Sequence, residues 1–219
     1  MTIRFAVIGI NHNHIYGQVD CLVRAGATFV GFHAPEDNLA AAFAARYPHV
    51  PRIDSRARIL DDRSIDLVVS AGINADRAPL GIEVMRAGKD YMTDKPGVTS
   101  LEQLSDVRRV QAETGRIYSI YYSEHFAVPC VIKAGEIAHS GAIGTVLNIV
   151  GLGPHRFNRP SRPDWFFRRQ QFGGILTDIA SHQVEQFLFF TGTENVEVMS
   201  ATVAAAFLST SAIHWFRLF

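Results

Sequence analysis

The chain has 219 residues and a mass of 24.2 kDa, with 47% hydrophobic and 19% charged residues, a composition that supports a packed core and excludes a disordered chain. Its 21 basic and 21 acidic side chains cancel, so it lacks the positive excess on which general nucleic-acid binding depends. Two cysteines exclude a disulfide framework or a four-thiolate zinc site, and no apolar run reaches the roughly 18 residues of a membrane helix, so we expect a soluble, cytoplasmic protein.

Apolar runs alternate with helical patterns over residues 1–122. Because the runs are continuously apolar rather than alternating with polar residues, they indicate a parallel sheet covered on both faces, a doubly wound α/β domain of the Rossmann type. Helices between the runs are indicated by apolar spacing, acidic first turns and terminal glycines. The predicted strands are 3–9, 27–33, 65–72, 89–94 and 117–122, and the predicted helices are 14–25, 36–46, 75–88 and 100–115.

Residues 123–219 differ in character and predict a second, incomplete α/β or α+β domain. Helices are expected over 126–139 and 173–192, and strands over 145–153 and 196–207. The chain ends on an apolar stretch, which would leave a sheet edge exposed, so we expect the C-terminal part of a longer protein to be missing.

The turn after the first predicted strand is a candidate dinucleotide site. The fingerprint G-x-G-x-x-G is expected there, and only Gly9 matches it. Asn11 is a tolerable replacement for the second glycine because Asn visits left-handed conformations readily, whereas His14 departs from the third. The following helix N-terminus favours an anion, and His12 or His14 can add a donor. A polar turn without a ligand is the alternative.

The same two histidines resemble half of a metal site. Imidazoles two residues apart can converge on zinc, as His12 and His14 would have to do. No third ligand is close in the sequence, so we predict no metal. Metal-dependent chemistry through these two residues and His182 is kept as an alternative.

The residue that reads the adenosine ribose is expected about 20 residues beyond the glycine turn, where an acidic side chain accepts from the 2′-hydroxyl of NAD. Ala34 stands there, and Glu36 and Asp37 are the substitutes nearby. No arginine is adjacent in sequence to take the 2′-phosphate of NADP. The pattern favours NAD and leaves NADP open, and both acids can equally serve as first-turn residues of the next helix.

Two further motifs carry candidate chemistry. Asp94, Lys95 and Pro96 end a buried strand at the edge where such sheets bind ligands, and a lysine there can donate to a substrate hydroxyl or stabilise charge near a cofactor. Asp178 and His182 are four residues apart on a predicted helix, so they share one face and suit proton transfer. A solvated loop lysine and a surface Asp–His pair are the alternatives.

Four segments carry a family resemblance: AVIGIN at 6–11, DKPGVTSLEQL at 94–104, SGAIG at 140–144 and GGILTDIASHQVEQF at 173–187. Together with the alternating first half, they resemble the Gfo/Idh/MocA family, the glucose-fructose oxidoreductase and inositol dehydrogenase-like enzymes. The chain departs from the family pattern at the degraded glycine turn, in having Asp94 where a glutamate is common, and in its short C-terminal part.

The resemblance implies an oxidoreductase that transfers a hydride between NAD or NADP and a sugar, cyclitol or related alcohol. It implies that Lys95 lies at the nicotinamide and the substrate, that Asp178 orients the substrate and that His182 is the general base. A homo-oligomer with a small-molecule substrate and without nucleic-acid or membrane partners is expected. The rival hypothesis, motivated by Ala34 and His14, is a protein that binds a dinucleotide or a sugar derivative without turnover. The expected cofactor-binding residues are Gly9, Asn11, His12, His14, Glu36, Asp94, Lys95 and Pro96.

Overall fold

The computed structural model describes residues 2–153, 155, 158–206 and 213–218. The chain divides into two compact units, residues 1–121 and 122–219. Within the described ranges, no helix is both long and apolar enough to cross a lipid bilayer.

The first unit is a five-stranded sheet in the order β2-β1-β3-β4-β5 with every neighbouring pair parallel. The predicted doubly wound α/β fold is therefore confirmed. The sequence analysis did not predict the short helix between β2 and β3. The elements are β1 (Arg4–Ile8), α1 (His14–Arg24), β2 (Thr28–His33), α2 (Asp37–Arg46), α3 (Arg56–Asp61), β3 (Leu67–Ser70), α4 (Asn74–Arg86), β4 (Asp90–Asp94), α5 (Leu101–Thr114) and β5 (Tyr118–Tyr121).

The central strand β1 shows why both faces of the sheet are covered. Phe5 and Val7 pack into one apolar cluster with side chains of α1 and α2, and Ala6 and Ile8 pack into a second cluster with side chains of α3 and α4. Successive side chains of a strand point to opposite faces, so a strand with helices on both sides must be apolar throughout. Burial of each of the larger side chains, Phe5, Val7 and Ile8, contributes about 1.5–3 kcal/mol.

Local hydrogen bonds begin and end α5 as its sequence predicts. Ser100 Oγ accepts from the backbone N–H of Gln103 at 3.1 Å, and Gly115 ends the helix in the left-handed conformation. The Gln103 side chain accepts from the backbone N–H of Thr99 at 2.8 Å rather than from that of Ser100, so the reciprocal bond of a capping box is displaced by one residue.

Backbone hydrogen bonds hold the turns after β1 and β3 side by side. Ala71 N donates to Gly9 O at 3.0 Å, and His12 N donates to Ala71 O at 2.9 Å. Because all five strands are parallel, the turns at their carboxyl ends meet at one edge of the sheet, which is where ligands bind in this class of fold.

The second unit is mostly helical where it is described. The predicted helix over 126–139 begins only at Pro129 and is preceded by a separate short helix that ends at Phe126, and the predicted helix over 173–192 contains a π-helical turn near its start. The elements are α6 (Ser123–Phe126), α7 (Pro129–His139), α8 (Arg169–Phe172), the π-helical turn Leu176–Ala180, α9 (Ser181–Thr191), β6 (Ala201–Ala206) and β7 (Ile213–Leu218).

Two strands were predicted for this unit. One of them is absent, and the other begins later than predicted. Residues 145–153 form no strand, and Leu147 and Leu152 there are 91% and 81% exposed. A strand needs hydrogen-bonded neighbours, and in the described part of the chain none pairs with this segment. The strand predicted over 196–207 begins only at Ala201 and pairs antiparallel with β7, and its predicted last residue, 207, lies outside the described residues.

Candidate active site

The turn between β1 and α1 is shaped by Gly9. Its φ is +83°, and a Cβ there would lie 3.1 Å from Ser70 Oγ and 3.2 Å from Gly72 Cα, at the end of β3. Glycine is therefore required both by the left-handed backbone and by close packing against the neighbouring turn. This is the tight turn that the first glycine of a dinucleotide fingerprint provides.

Asn11 and Glu36 meet across the turns that follow β1 and β2. Asn11 Nδ2 donates to Glu36 Oε1 at 2.8 Å. The other carboxylate oxygen, Oε2, is buried and has no hydrogen-bond partner among the residues that the structure describes. A buried carboxylate oxygen without a partner is costly, so its position fits an acceptor for a ligand hydroxyl.

The structure distinguishes Glu36 from the other two residues considered for the ribose. Ala34 is buried in the core beside α1 and α2. Asp37 is 89% exposed at its side chain and pairs with Arg52 at 2.8 Å. Arg52 also donates to Ala34 O at 2.8 Å, so the fold brings an arginine to this region that sequence proximity did not indicate.

Asp94 is the centre of a network beneath the same turn. Its carboxylate lies 3.0 Å from His14 Nδ1, 3.5 Å from His12 Nδ1 and 3.3 Å from the Arg77 guanidinium. The Asp94 side chain is 1% exposed, whereas that of His14 is 36% exposed. The predicted cofactor residues His12, His14 and Asp94 are thus brought together, and the place of the third fingerprint glycine is taken by a hydrogen-bonded imidazole.

Burial and charge set the protonation states in this network. Burial alone raises the pKa of the Asp94 carboxyl, but the hydrogen bond from His14 and the charge of Arg77 outweigh it and hold that pKa at about 2. Burial, reinforced by the neighbouring His14, lowers the pKa of His12 from 6.5 to about 3. At neutral pH the carboxylate is ionised and the His12 imidazole is uncharged.

The three side chains His12, His14 and Asp94 offer ligand atoms that all lie within 4.8 Å of one another. Asp94 is thus the third donor that the sequence did not show near the two histidines. Its charge is already balanced by Arg77 at 3.3 Å, and Lys95 follows it in the chain. The local charge therefore suits an anion better than a divalent cation.

The predicted loop of Asp94, Lys95 and Pro96 follows β4. Lys95 is 4% exposed, and the backbone carbonyls of all three residues accept from the Arg77 guanidinium. The sequence reading missed Arg77. The sequence feature that could have indicated its burial is its spacing. Arg77, Gly81 and Val84 stand at positions i, i+4 and i+7, so they share one face of α4.

Asp178 and His182 are both buried in the second unit, 7% and 2% exposed. Asp178 lies in the π-helical turn and His182 in the first turn of α9, so the uniform α-helix assumed from their spacing is not what places them. Both side chains are enclosed, so the alternative of a solvated surface pair is excluded.

His182 has a carboxylate beside it that the sequence reading missed. Glu124 Oε2, on α6, lies 3.7 Å from His182 Nδ1, and the ring of Tyr122 lies edge-on to the imidazole at 5.6 Å between centroids. The signal available in the sequence was their place directly after the last strand of the parallel sheet. The meeting of Lys95 with the pair Asp178 and His182 stays a prediction.

Two family models match the chain. The model for the oxidoreductase family with an NAD-binding Rossmann fold matches residues 3–122, and the Gfo/Idh/MocA C-terminal domain model matches residues 131–211. The chain belongs to the Gfo/Idh/MocA oxidoreductase family. The resemblance inferred from its motifs is confirmed.

The relatives of this Gfo/Idh/MocA protein include two sugar or cyclitol dehydrogenases and a protein of known crystal structure. D-xylose dehydrogenase of Paenarthrobacter nicotinovorans is 26% identical over 57% of this chain and 33% of its own, and inositol 2-dehydrogenase 2 of Saccharopolyspora erythraea is 22% identical over 92% and 58%. A crystal structure from Erwinia carotovora atroseptica has a TM-score of 0.90 and 44% identity, covering 95% of this chain and 62% of that one. The chain thus spans from about a third to about three fifths of the lengths of these relatives.

Levoglucosan dehydrogenase, solved in complex with NADH and levoglucosan, shares the fold. It has a TM-score of 0.77 at 22% identity and covers 95% of this chain and 58% of its own. At this identity the likeness concerns the architecture, and its ligands are properties of that enzyme.

Proposed function

We propose that the protein is an NAD-dependent oxidoreductase that acts on an alcohol carbon of a sugar, cyclitol or related polyol, or on the corresponding ketone. The observation that carries the proposal is the burial of all three side chains assigned to the chemistry: Lys95 is 4%, Asp178 7% and His182 2% exposed. Lys and Asp are rarely buried to this extent without a partner or a function. The xylose and inositol dehydrogenases among the relatives support a polyol substrate.

The residues of the first unit fit a nicotinamide dinucleotide. The tight turn at Gly9 and the N-terminus of α1 suit the pyrophosphate, and the excess of donors around Asp94 suits its negative charge. Glu36 Oε2 is placed to accept from a ribose hydroxyl, which favours NAD because a 2′-phosphate would meet a carboxylate. When bound, the nicotinamide supplies the hydride acceptor or donor.

The protein side chains handle the proton and the alignment. His182 takes the proton of the substrate hydroxyl during oxidation and returns it during reduction. Asp178 orients the substrate or the imidazole, and the Lys95 ammonium donates to the same substrate oxygen as negative charge develops on it. Glu124 supports the imidazolium that forms, since its carboxylate lies 3.7 Å from His182 Nδ1.

Assembly and location belong to the same proposal. The protein is expected to be a cytoplasmic homo-oligomer whose partner is the small-molecule substrate, with no nucleic-acid or membrane partner. These expectations rest on the sequence and on the family.

A kinetic panel tests the proposal. NADH and NADPH are titrated by fluorescence, and reduction of NAD is followed over sugars, cyclitols and related polyols. His182→Ala is expected to lower kcat by about 100-fold to 10,000-fold while the dinucleotide still binds, and the exposed His49→Ala serves as the matched control. Binding without turnover in a full-length form would support the non-catalytic rival, and full activity of His182→Ala would remove the assigned base.

A further inference from the structure

Arg77 has the largest of the fully buried side chains among the described residues. It lies in the first part of α4, four residues before Gly81, on the face that packs against the sheet. A guanidinium is charged at all relevant pH values, so burying it requires compensation by several acceptors.

The acceptors come from the ends of two strands. Nε donates to Gly72 O at 2.9 Å, after β3. Nη1 donates to Asp94 O at 3.1 Å, to Lys95 O and to Pro96 O at 3.3 Å, after β4. Nη2 faces Asp94 Oδ2 at 3.3 Å, which balances the charge.

Three successive carbonyls that converge on one point cannot belong to a continuing strand, where carbonyls alternate in direction. The backbone at Lys95 therefore curves around the Arg77 guanidinium. Only arginine offers donors in a rigid planar fork that can reach Gly72 on one side and the Lys95 loop on the other. A lysine at 77 would retain the charge and lose the fork.

We propose that Arg77 is the positioning residue for Lys95, which it holds in reacting geometry through the backbone carbonyls of residues 94–96. The inference rests on the proposed role of Lys95. The guanidinium is fully buried beneath the loop, so it acts through the backbone while the ammonium of Lys95 acts on the substrate. The bond to Gly72 O ties the same loop to the turn that packs against Gly9.

Kinetics of Arg77→Lys give the first test, with Arg86→Lys, an exposed position in the last turn of the same helix, as the matched control. We expect kcat per folded molecule to fall about 100-fold, because a displacement of about 1 Å at a reacting group can cost that much. The Kd for NADH, read by fluorescence, is expected to change much less than kcat does. Unfolding in urea gives the folded fraction.

Lysine-specific ¹⁵N labelling gives a test that needs no turnover. The chain has three lysines, Lys89, Lys95 and Lys133, so the wild-type amide spectrum holds three assignable lysine signals. In Arg77→Gln we expect the Lys95 amide signal to shift or broaden while those of Lys89 and Lys133 stay in place.

The outcomes separate this inference from the proposed function. A wild-type protein without turnover would count against the function, while the amide spectrum would still test the link from Arg77 to Lys95. A folded Arg77→Lys with wild-type kcat, or an unmoved Lys95 amide in Arg77→Gln, would overturn the positioning role. Lower stability with unchanged kcat per folded molecule would show a purely structural arginine and overturn it as well.

Discussion

Asn11 donates its side-chain amide to Glu36 Oε1 across 2.8 Å, which joins the first turn of the sheet to the residue that precedes α2. The contact fixes one carboxylate oxygen and leaves the other, Oε2, buried and without a hydrogen-bond partner among the described residues. The sequence alone offered Glu36 and Asp37 as substitutes for the acidic residue expected at the ribose, and this geometry supports the proposal that Glu36 is the one.

Glu36→Gln is expected to narrow the preference for NAD over NADP by tenfold or more. The amide keeps the size of the side chain and removes the charge that repels a 2′-phosphate, and a tenfold change corresponds to about 1.4 kcal/mol. Fluorescence titrations with NADH and NADPH measure the ratio of dissociation constants. Asp37→Asn is the contrast, and a larger change in that variant than in Glu36→Gln would transfer the assignment to Asp37 and its partner Arg52.

Stability is expected to fall as the pH drops from 7 to 5 because of His12. Burial lowers the pKa of this imidazole to about 3 in the folded protein, whereas the unfolded chain takes up the proton near 6.5. The stabilising contribution is therefore complete above pH 6.5 and is lost progressively towards pH 3. One such group costs about 2 kcal/mol between pH 7 and pH 5.

Urea titrations at both pH values measure this loss, and His12→Asn should show a correspondingly smaller dependence on pH. His49→Asn, at an exposed position, controls for the removal of one imidazole. Asp94 contributes in a lower range, because its pKa is held at about 2 and its contribution is lost only below about pH 4. An equal pH dependence in wild type and His12→Asn would show that His12 is not the responsible group.

No stoichiometric metal is expected at His12, His14 and Asp94. The carboxylate there is already paired with Arg77 at 3.3 Å, so the charge of a bound divalent ion would be left uncompensated. Dialysis against a chelator should leave the Kd for NADH unchanged, and elemental analysis should find zinc below one equivalent. One equivalent of zinc that disappears in His12→Ala would establish the metal-site alternative instead.

Gly81→Ala is expected to destabilise the first unit by about 1–3 kcal/mol. A Cβ at Gly81 would collide with the ring of Tyr118 and lie 2.6 Å from the ring of Tyr91, which is fully buried and cannot move aside. Gly17→Ala is the matched control, because it is also a helical glycine but has nothing within 4 Å of its Cβ position. That variant should gain about 0.5–1 kcal/mol, and thermal or urea unfolding of both variants measures the difference.

Local signals in the chain identified most of the first unit. The continuous apolar runs were sufficient to locate β1, β2 and β3, because a parallel strand buried on both faces is mostly apolar whatever its partners are, whereas β4 carries polar residues at Asp90, Thr93 and Asp94. The sequence also indicated the tight turn at Gly9 and the start of α5 at Ser100. The φ of a turn glycine and the hydrogen bond of a helix cap depend only on neighbouring residues.

The sequence predicted the structure of the second unit less well. Residues 145–153 have the apolar content of a strand, but a strand also needs a hydrogen-bonding neighbour, which composition does not reveal. The spacing of Asp178 and His182 predicted a uniform α-helix, which is incorrect, because a π-helical turn is an adjustment to packing rather than a preference of its residues.

The amino-acid sequence by itself determined the fold class, the family and the chemistry-bearing residue types of this protein, because those follow from burial periodicity and short motifs. Only the tertiary structure decided that Arg77 lies beneath Lys95, that Asp94 joins the two histidines, and that Glu36 rather than Asp37 faces the first turn. The physical reason is that such pairings join residues 18 to 82 positions apart, and their energy depends on distance and burial, which exist only once the sheet has brought the strand ends together.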